Sequence, residues 1–142
     1  MTRPPGASAA RRPLPASLLD ALRGEEVVLV TSRDHRRQGT VPMWFAIAPP
    51  GVVYLFTHAF SRKVERWRRD PWVRLCPPAG APAVEGEVHF VESAELAEVA
   101  ELVVDRWVLA GAVTPAALHR LVGEGTHALV RVEALRGAAP SE

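Results

Sequence analysis

Six short runs of β-branched, aromatic and aliphatic residues recur along the chain, at Glu26–Thr31, Gly39–Ala48, Val52–Thr57, Trp72–Cys76, Val84–Val91 and His127–Glu133. Each is closed off by proline, glycine or a polar cluster. Runs of this length and make-up read as strands, because branched side chains pack well on a pleated surface and turn residues end them. So many short strands present many unpaired edges, and closing the sheet on itself removes those edges. A chain of 142 residues has room for one core. The pattern therefore predicts a mostly β domain, a closed or partly open six-stranded antiparallel barrel with peripheral helices. The polar Ser32–Arg37 run and the Pro49–Gly51 turn are short connections, so the first three strands should form a meander.

Four helices are predicted around these strands. Ser17 caps one through Leu22, with Leu18, Leu19 and Leu22 on a shared face and Gly24 as its stop. Ser61 caps a second to Asp70, ended by Pro71, with Val64 and Trp67 facing inward. A third runs from Ser93 to Ala110 on an apolar stripe of Leu96, Val99, Ala100, Val103 and Trp107, and Gly111 closes it. Thr114 and Pro115 open a fourth, to Val122. Residues 1–15, rich in Pro, Ala and Arg, read as a mobile tail, residues 16–137 as the domain, and 138–142 as a fraying end.

No apolar run approaches the ~20 residues of a membrane span. Cys76 is the only cysteine, which precludes an internal disulfide and fits a reducing compartment, so a cytoplasmic location is expected. With a net charge of +1, any attraction for an anion must be local.

One place concentrates it. If Ser61 is the N-cap of the second helix, Arg62 and Lys63 are its first residues, and Thr57 ends the preceding strand. Two hydroxyls and two cations then share the end of a helix where free N–H groups and the dipole favour an anion. Cations in a first helical turn are unfavourable without such an anion, and Lys63 is the only lysine among 17 basic residues. Arg66 and Arg69 lie further along and fit a solvated face. His35, His58, His89, His119 and His127 show no ligand spacing, so no metal site is expected. His58 has two readings, a ligand contact beside Thr57 or an exposed turn residue. Glu92, Glu95, Glu98 and Glu101 flank the apolar stripe and read as a solvated face. Trp67 and Trp107 fall on inward helix faces and the near-neutral net charge lacks the basic footprint of a nucleic-acid module, and no catalytic side-chain motif stands out.

The segment Phe56-Thr57-His58-Ala59-Phe60-Ser61-Arg62-Lys63, followed by Asp70-Pro71, resembles the phosphate-binding segment of the pyridoxamine 5′-phosphate oxidase-like split-barrel family. Gly39-Thr40-Val41-Pro42-Met43-Trp44-Phe45 is similar to the Pro-Val-Trp-Phe strand of its F-420-dependent reductase-like branch. The resemblance implies a split β-barrel that binds FMN or the deazaflavin coenzyme F-420 in a homodimer interface. It assigns Thr57, Ser61, Arg62 and Lys63 to the cofactor phosphate. Val41, Pro42, Met43, Trp44 and Phe56 become further cofactor contacts, with Pro42 to Trp44 at the ring. The implied activity is hydride transfer to or from a small organic substrate, with the cofactor as redox centre. Gly39–Phe45 holds no cation, unlike the oxidases proper, so pyridoxamine phosphate oxidation is not implied. The alternatives are a flavin- or haem-sequestering protein without turnover and, more remotely, a nucleic-acid module on Arg62–Arg74; neither nucleic acid nor a membrane is an expected partner.

Overall fold

Strand β1 (Val27–Asp34) shows why the sheet closes: Val28, Val30 and Ser32 are all but inaccessible, while Val27, Leu29 and Arg33 keep some exposure on the opposite face. The strands that follow are β2 (Arg37–Ala48), β3 (Val52–His58), β4 (Trp72–Cys76), β5 (Val84–Phe90) and β6 (His127–Ala134), and where both faces are covered, as at Val52–Leu55 and Ala128–Val130, consecutive residues are buried. A computed structural model describes residues 11–35, 37–106 and 114–136. The six strands form a closed barrel in the order β1-β2-β3-β6-β5-β4, and every neighbouring pair is antiparallel. The predicted fold class and the opening meander are both present.

The interior is filled by Val28, Val30, Met43, Phe45, Val53, Leu55, Val73, Leu75, Val130 and Val132. Helix α1 (Ala16–Leu22) adds Leu18 and Leu22 from the end that carries the β2–β3 turn, where the Leu14 N–H donates to Gly51 O at 2.8 Å. Helix α2 (Arg62–Arg69) adds Val64 and Trp67 near the other end of β2, the end that carries Gly39. A second apolar layer covers the outer face of β2, β3 and β6. There α3 (Ser93–Arg106) and α4 (Pro115–Gly123) pack Leu96, Val99, Ala100, Val103 and Leu118 against Ala46, Ala48, Val52, Tyr54 and Leu129. Thr114 caps α4, its hydroxyl accepting from Ala117 N–H at 3.0 Å.

The barrel is split between β2 and β3. These strands pair only from Ala48↔Val52 to Phe45↔Leu55. Beyond that, Arg37–Trp44 of β2 pair with β1 alone, and Phe56–His58 of β3 continue on β6 alone. Arg37–Trp44 is thus an open edge on its β3 side, and Pro42 is at home there because an edge asks no ladder bond of its nitrogen.

Several expectations are corrected. The polar Ser32–Arg37 run is mostly strand, since β1 extends to Asp34 and β2 begins at Arg37, with His35 at φ 55° in the turn. Arg33 tolerates a strand position because its guanidinium lies outside the barrel, on Asp70 and over Trp72. Ser17 is not a cap; α1 begins at Ala16, after Pro15. The mobile tail does not reach Pro15: Leu14 is 3% exposed, and Arg12 binds Ala134 O at 2.9 Å and Glu87 at 2.5 Å. Glu95 is no solvated residue, accepting from Tyr54 at 2.7 Å and pairing with Arg131. Trp107, the end of the third helix and residues 1–10 and 137–142 lie outside the described residues. No helix among the described residues is long and apolar enough to cross a membrane.

Candidate functional site

The split places the two predicted groups of site residues on either side of one opening, Val41–Trp44 on β2 and the end of β3 with α2 across from it. The turn between β3 and α2 is held by backbone bonds, Ala59 N–H to Thr126 O at 3.0 Å and Ser61 N–H to His58 O at 3.2 Å. Ser61 then occupies the N-cap with extended dihedrals, φ −70° and ψ 155°, as its residue type predicts. Its hydroxyl does not make the cap bond. Ser61 Oγ is closed off from solvent and has no hydrogen-bond partner among the described residues, a costly state for a polar atom.

Lys63 is in a comparable state. Its side chain is half-buried, burial pulls its pKa below the ordinary lysine value, and it has no ion pair among the described residues. Arg62 is exposed beside it. By strand alternation Thr57 shares the inward face of β3 with Leu55, towards the mouth of the barrel that α2 covers. These features together describe a cradle for a compact anion: an ammonium lacking a counter-charge, an orphaned hydroxyl and the positive end of a helix.

Arg66 is the residue that sequence reasoning set aside and the structure restores. It is half-buried, and its guanidinium lies against Gly39, where a Cβ would sit 2.9 Å from Nη1. A lone glycine inside a strand marks close approach of another group, and Gly39 was the available signal. Helix α2 is fixed in place by two further links. Trp67 Nε1 donates to Ser32 Oγ at 3.0 Å inside the barrel. Asp70 accepts from Arg33 Nε at 2.5 Å and from Trp72 N–H at 3.2 Å, and the Arg33 hydrogen bond holds the Asp70 carboxyl below the usual carboxylate range.

The opposite wall, β2, exposes apolar side chains on both of its faces, Val41 on the face that Met43 and Phe45 share and Pro42 and Trp44 on the other. Val41 is 40% exposed and Trp44 46% exposed, large values for such side chains, and Pro42 is exposed between them. Met43 turns into the core, so only its backbone faces the opening. Phe56 departs from the expected group. Alternation turns its ring to the outer face, where it stacks on His127 at 5.0 Å. Burial, and then the neighbouring His58, lower the pKa of His127.

No protein-family model matches the chain, and no curated protein matches it significantly. Solved structures do. A candidate pyridoxamine 5′-phosphate oxidase of Listeria innocua superposes with a TM-score of 0.60 at 16% identity, over 85% of this chain and 93% of its own. HutZ, the haem storage protein of Vibrio cholerae, superposes with a TM-score of 0.61 at 13% identity, over 88% and 92%. A FAD-binding protein of Mesorhizobium loti gives 0.58 at 17% identity, over 85% and 87%. At these identities the likeness is one of fold: the chain has the split-barrel architecture that these proteins share.

Proposed function

We propose that this split barrel binds a phosphorylated flavin or deazaflavin, FMN or coenzyme F-420, with the phosphate at the mouth of α2 and the ring on the open edge of β2. The observation that carries the reading is that, among the described residues, Lys63, a half-buried ammonium, has no counter-charge and the Ser61 hydroxyl at the same helix end has no hydrogen-bond partner. A phosphate supplies what both lack. Thr57 and Arg62 add a hydroxyl and a guanidinium fork, and Arg66 closes the side towards Gly39. The fold neighbours that include a FAD-binding protein support the flavin class.

The bound ring system supplies hydride transfer, so the protein needs no nucleophile of its own. Its residues bind and orient. The exposed Val41 side chain offers apolar contact on the face of β2 that Met43 and Phe45 share, the Trp44 indole does so on the other face, and the unpaired edge of β2 offers backbone donors and acceptors to the ring's rim. The cations at α2 hold negative charge in place and fix the depth of insertion. We place this site in a homodimer, since Val41, Trp44 and Phe60, the last 85% exposed, are large apolar side chains that a twofold partner would cover. The activity is then that of an oxidoreductase acting on a small organic substrate. Sequestration without turnover is the competing reading, supported by the haem storage protein among the fold neighbours.

Side-by-side titration with FMN and F-420 tests the binding claim, with saturable quenching of ligand fluorescence as the expected result. Failure of both to bind would overturn it. Reduction or oxidation of the bound cofactor with a panel of quinones, enones and nitro compounds separates oxidoreductase from sequestration, and inertness across the panel selects the second.

A further inference from the structure

On the outer face of the barrel, at the last rung of the β3–β6 ladder, His58 and His127 are direct register partners. Their ring centroids lie 4.6 Å apart, with the planes tilted by 38°. Side chains opposite each other on one face of an antiparallel pair are close enough to share a ligand.

The tautomer of His127 follows from the hydroxyl beside it. Thr126 Oγ1 donates its one proton to Leu121 O at 3.0 Å. Towards His127 Nδ1, also 3.0 Å away, it is left to accept, so Nδ1 carries the hydrogen and Nε2 keeps its lone pair. A histidine whose second nitrogen donates to an oxygen in this way is held in the orientation and tautomer that metal ligation uses. Phe56 stacks on the same ring, with an interplanar angle of 12°, and restricts its rotation. His58 is exposed, and its ring nitrogens have no hydrogen-bond partner among the described residues, so it is free to turn towards its neighbour.

We propose that His58 and His127 form a two-imidazole site for a late first-row divalent cation, Cu²⁺ foremost and Zn²⁺ more weakly. Imidazole suits both ions, and the general order of affinities favours copper. The cation sits about 2.0–2.1 Å from each ligating nitrogen. No cluster of three or more His, Cys, Asp or Glu side chains capable of holding a metal occurs among the described residues, so water completes the coordination and the site is open. It uses none of the residues assigned to the phosphate or the ring and stands apart from the flavin reading.

The test is titration of the untagged full-length chain with CuCl₂, followed by calorimetry and by nitrogen hyperfine structure in the electron paramagnetic resonance spectrum. One equivalent of Cu²⁺ with two coupled nitrogens is expected. His58→Ala and His127→Gln should each weaken binding more than about tenfold. Thr126→Val, which keeps both ligands but releases the tautomer, should weaken it about 10- to 100-fold. His119→Ala should leave it unchanged. Because His58 is exposed, its variant folds irrespective of the fate of His127→Gln. Wild-type Cu²⁺ affinity in His58→Ala, or no saturable binding by the native chain, would overturn the proposal.

Discussion

Replacing Lys63 by alanine acts on two quantities in opposite directions, and the structure fixes both signs. In the free protein the Lys63 ammonium is half-buried without an ion pair among the described residues, and burial lowers its pKa from the ordinary 10.5. A base with a depressed folded pKa opposes folding while charged, and the penalty fades as pH rises from the folded value to the unfolded one, where the unfolded chain holds more protons. Lys63→Ala removes this penalty, so the ligand-free variant should unfold in urea at a midpoint equal to or above the wild type. With phosphorylated cofactor present, the same substitution deletes a charge-assisted hydrogen bond worth about 1.5–3 kcal/mol. Affinity for FMN or F-420 should fall by about 10- to 140-fold at 1.4 kcal/mol per decade. Fluorescence titration and urea melts on one preparation measure both. A variant that loses stability without ligand and keeps its affinity would refute the assignment, since Lys63 would then be a structural residue.

Three further outcomes follow from particular contacts. Gly86→Ala should destabilise by about 1–3 kcal/mol, because its Cβ would lie 2.8 Å from both Glu133 O and Val132 Cγ1, where neither strand can yield; a thermal melt reads the loss. Gly39→Ala should cost less than about 1 kcal/mol, since Arg66 Nη1 is the far end of a flexible side chain, yet it should alter cofactor affinity by moving that guanidinium. Asp70→Asn should flatten the acid limb of the stability profile. The Arg33 bond depresses the folded pKa of Asp70, so its contribution is present above the unfolded value of about 3.9 and is lost as pH falls through the folded one, which urea melts from pH 6 to 2 would follow.

Much of this architecture was legible because it rests on local chemistry. Runs of β-branched, aromatic and aliphatic residues closed off by turn residues marked all six strands, and Ser61, Pro71, Thr114 and Pro115 marked helix ends through backbone dihedrals and capping. The misread stretches share a cause. Ser32–Arg37 looks like a turn by charge, yet Arg33 is compensated by Asp70 and Trp72, which follow it only after two intervening strands. Arg11–Pro15 looks like a tail by composition, yet Arg12 is tied to Glu87, Glu133 and Ala134 at the far side of the barrel. Glu95 looked solvated for the same reason, its partners Tyr54 and Arg131 being distant in sequence.

The candidate site divides in the same way. The anion cradle of Ser61, Arg62 and Lys63 is contained in one turn of chain, so its chemistry could be read from residue order and helix electrostatics. Its completion by Arg66 over Gly39, the opening between Trp44 and Phe56 and the meeting of His58 with His127 depend on which strands pair and where pairing stops. A period of two assigns each side chain a face of its strand but not a partner, and a shift of one residue would exchange the faces. Register is settled when the whole barrel closes around its core, and with it the place where the barrel fails to close.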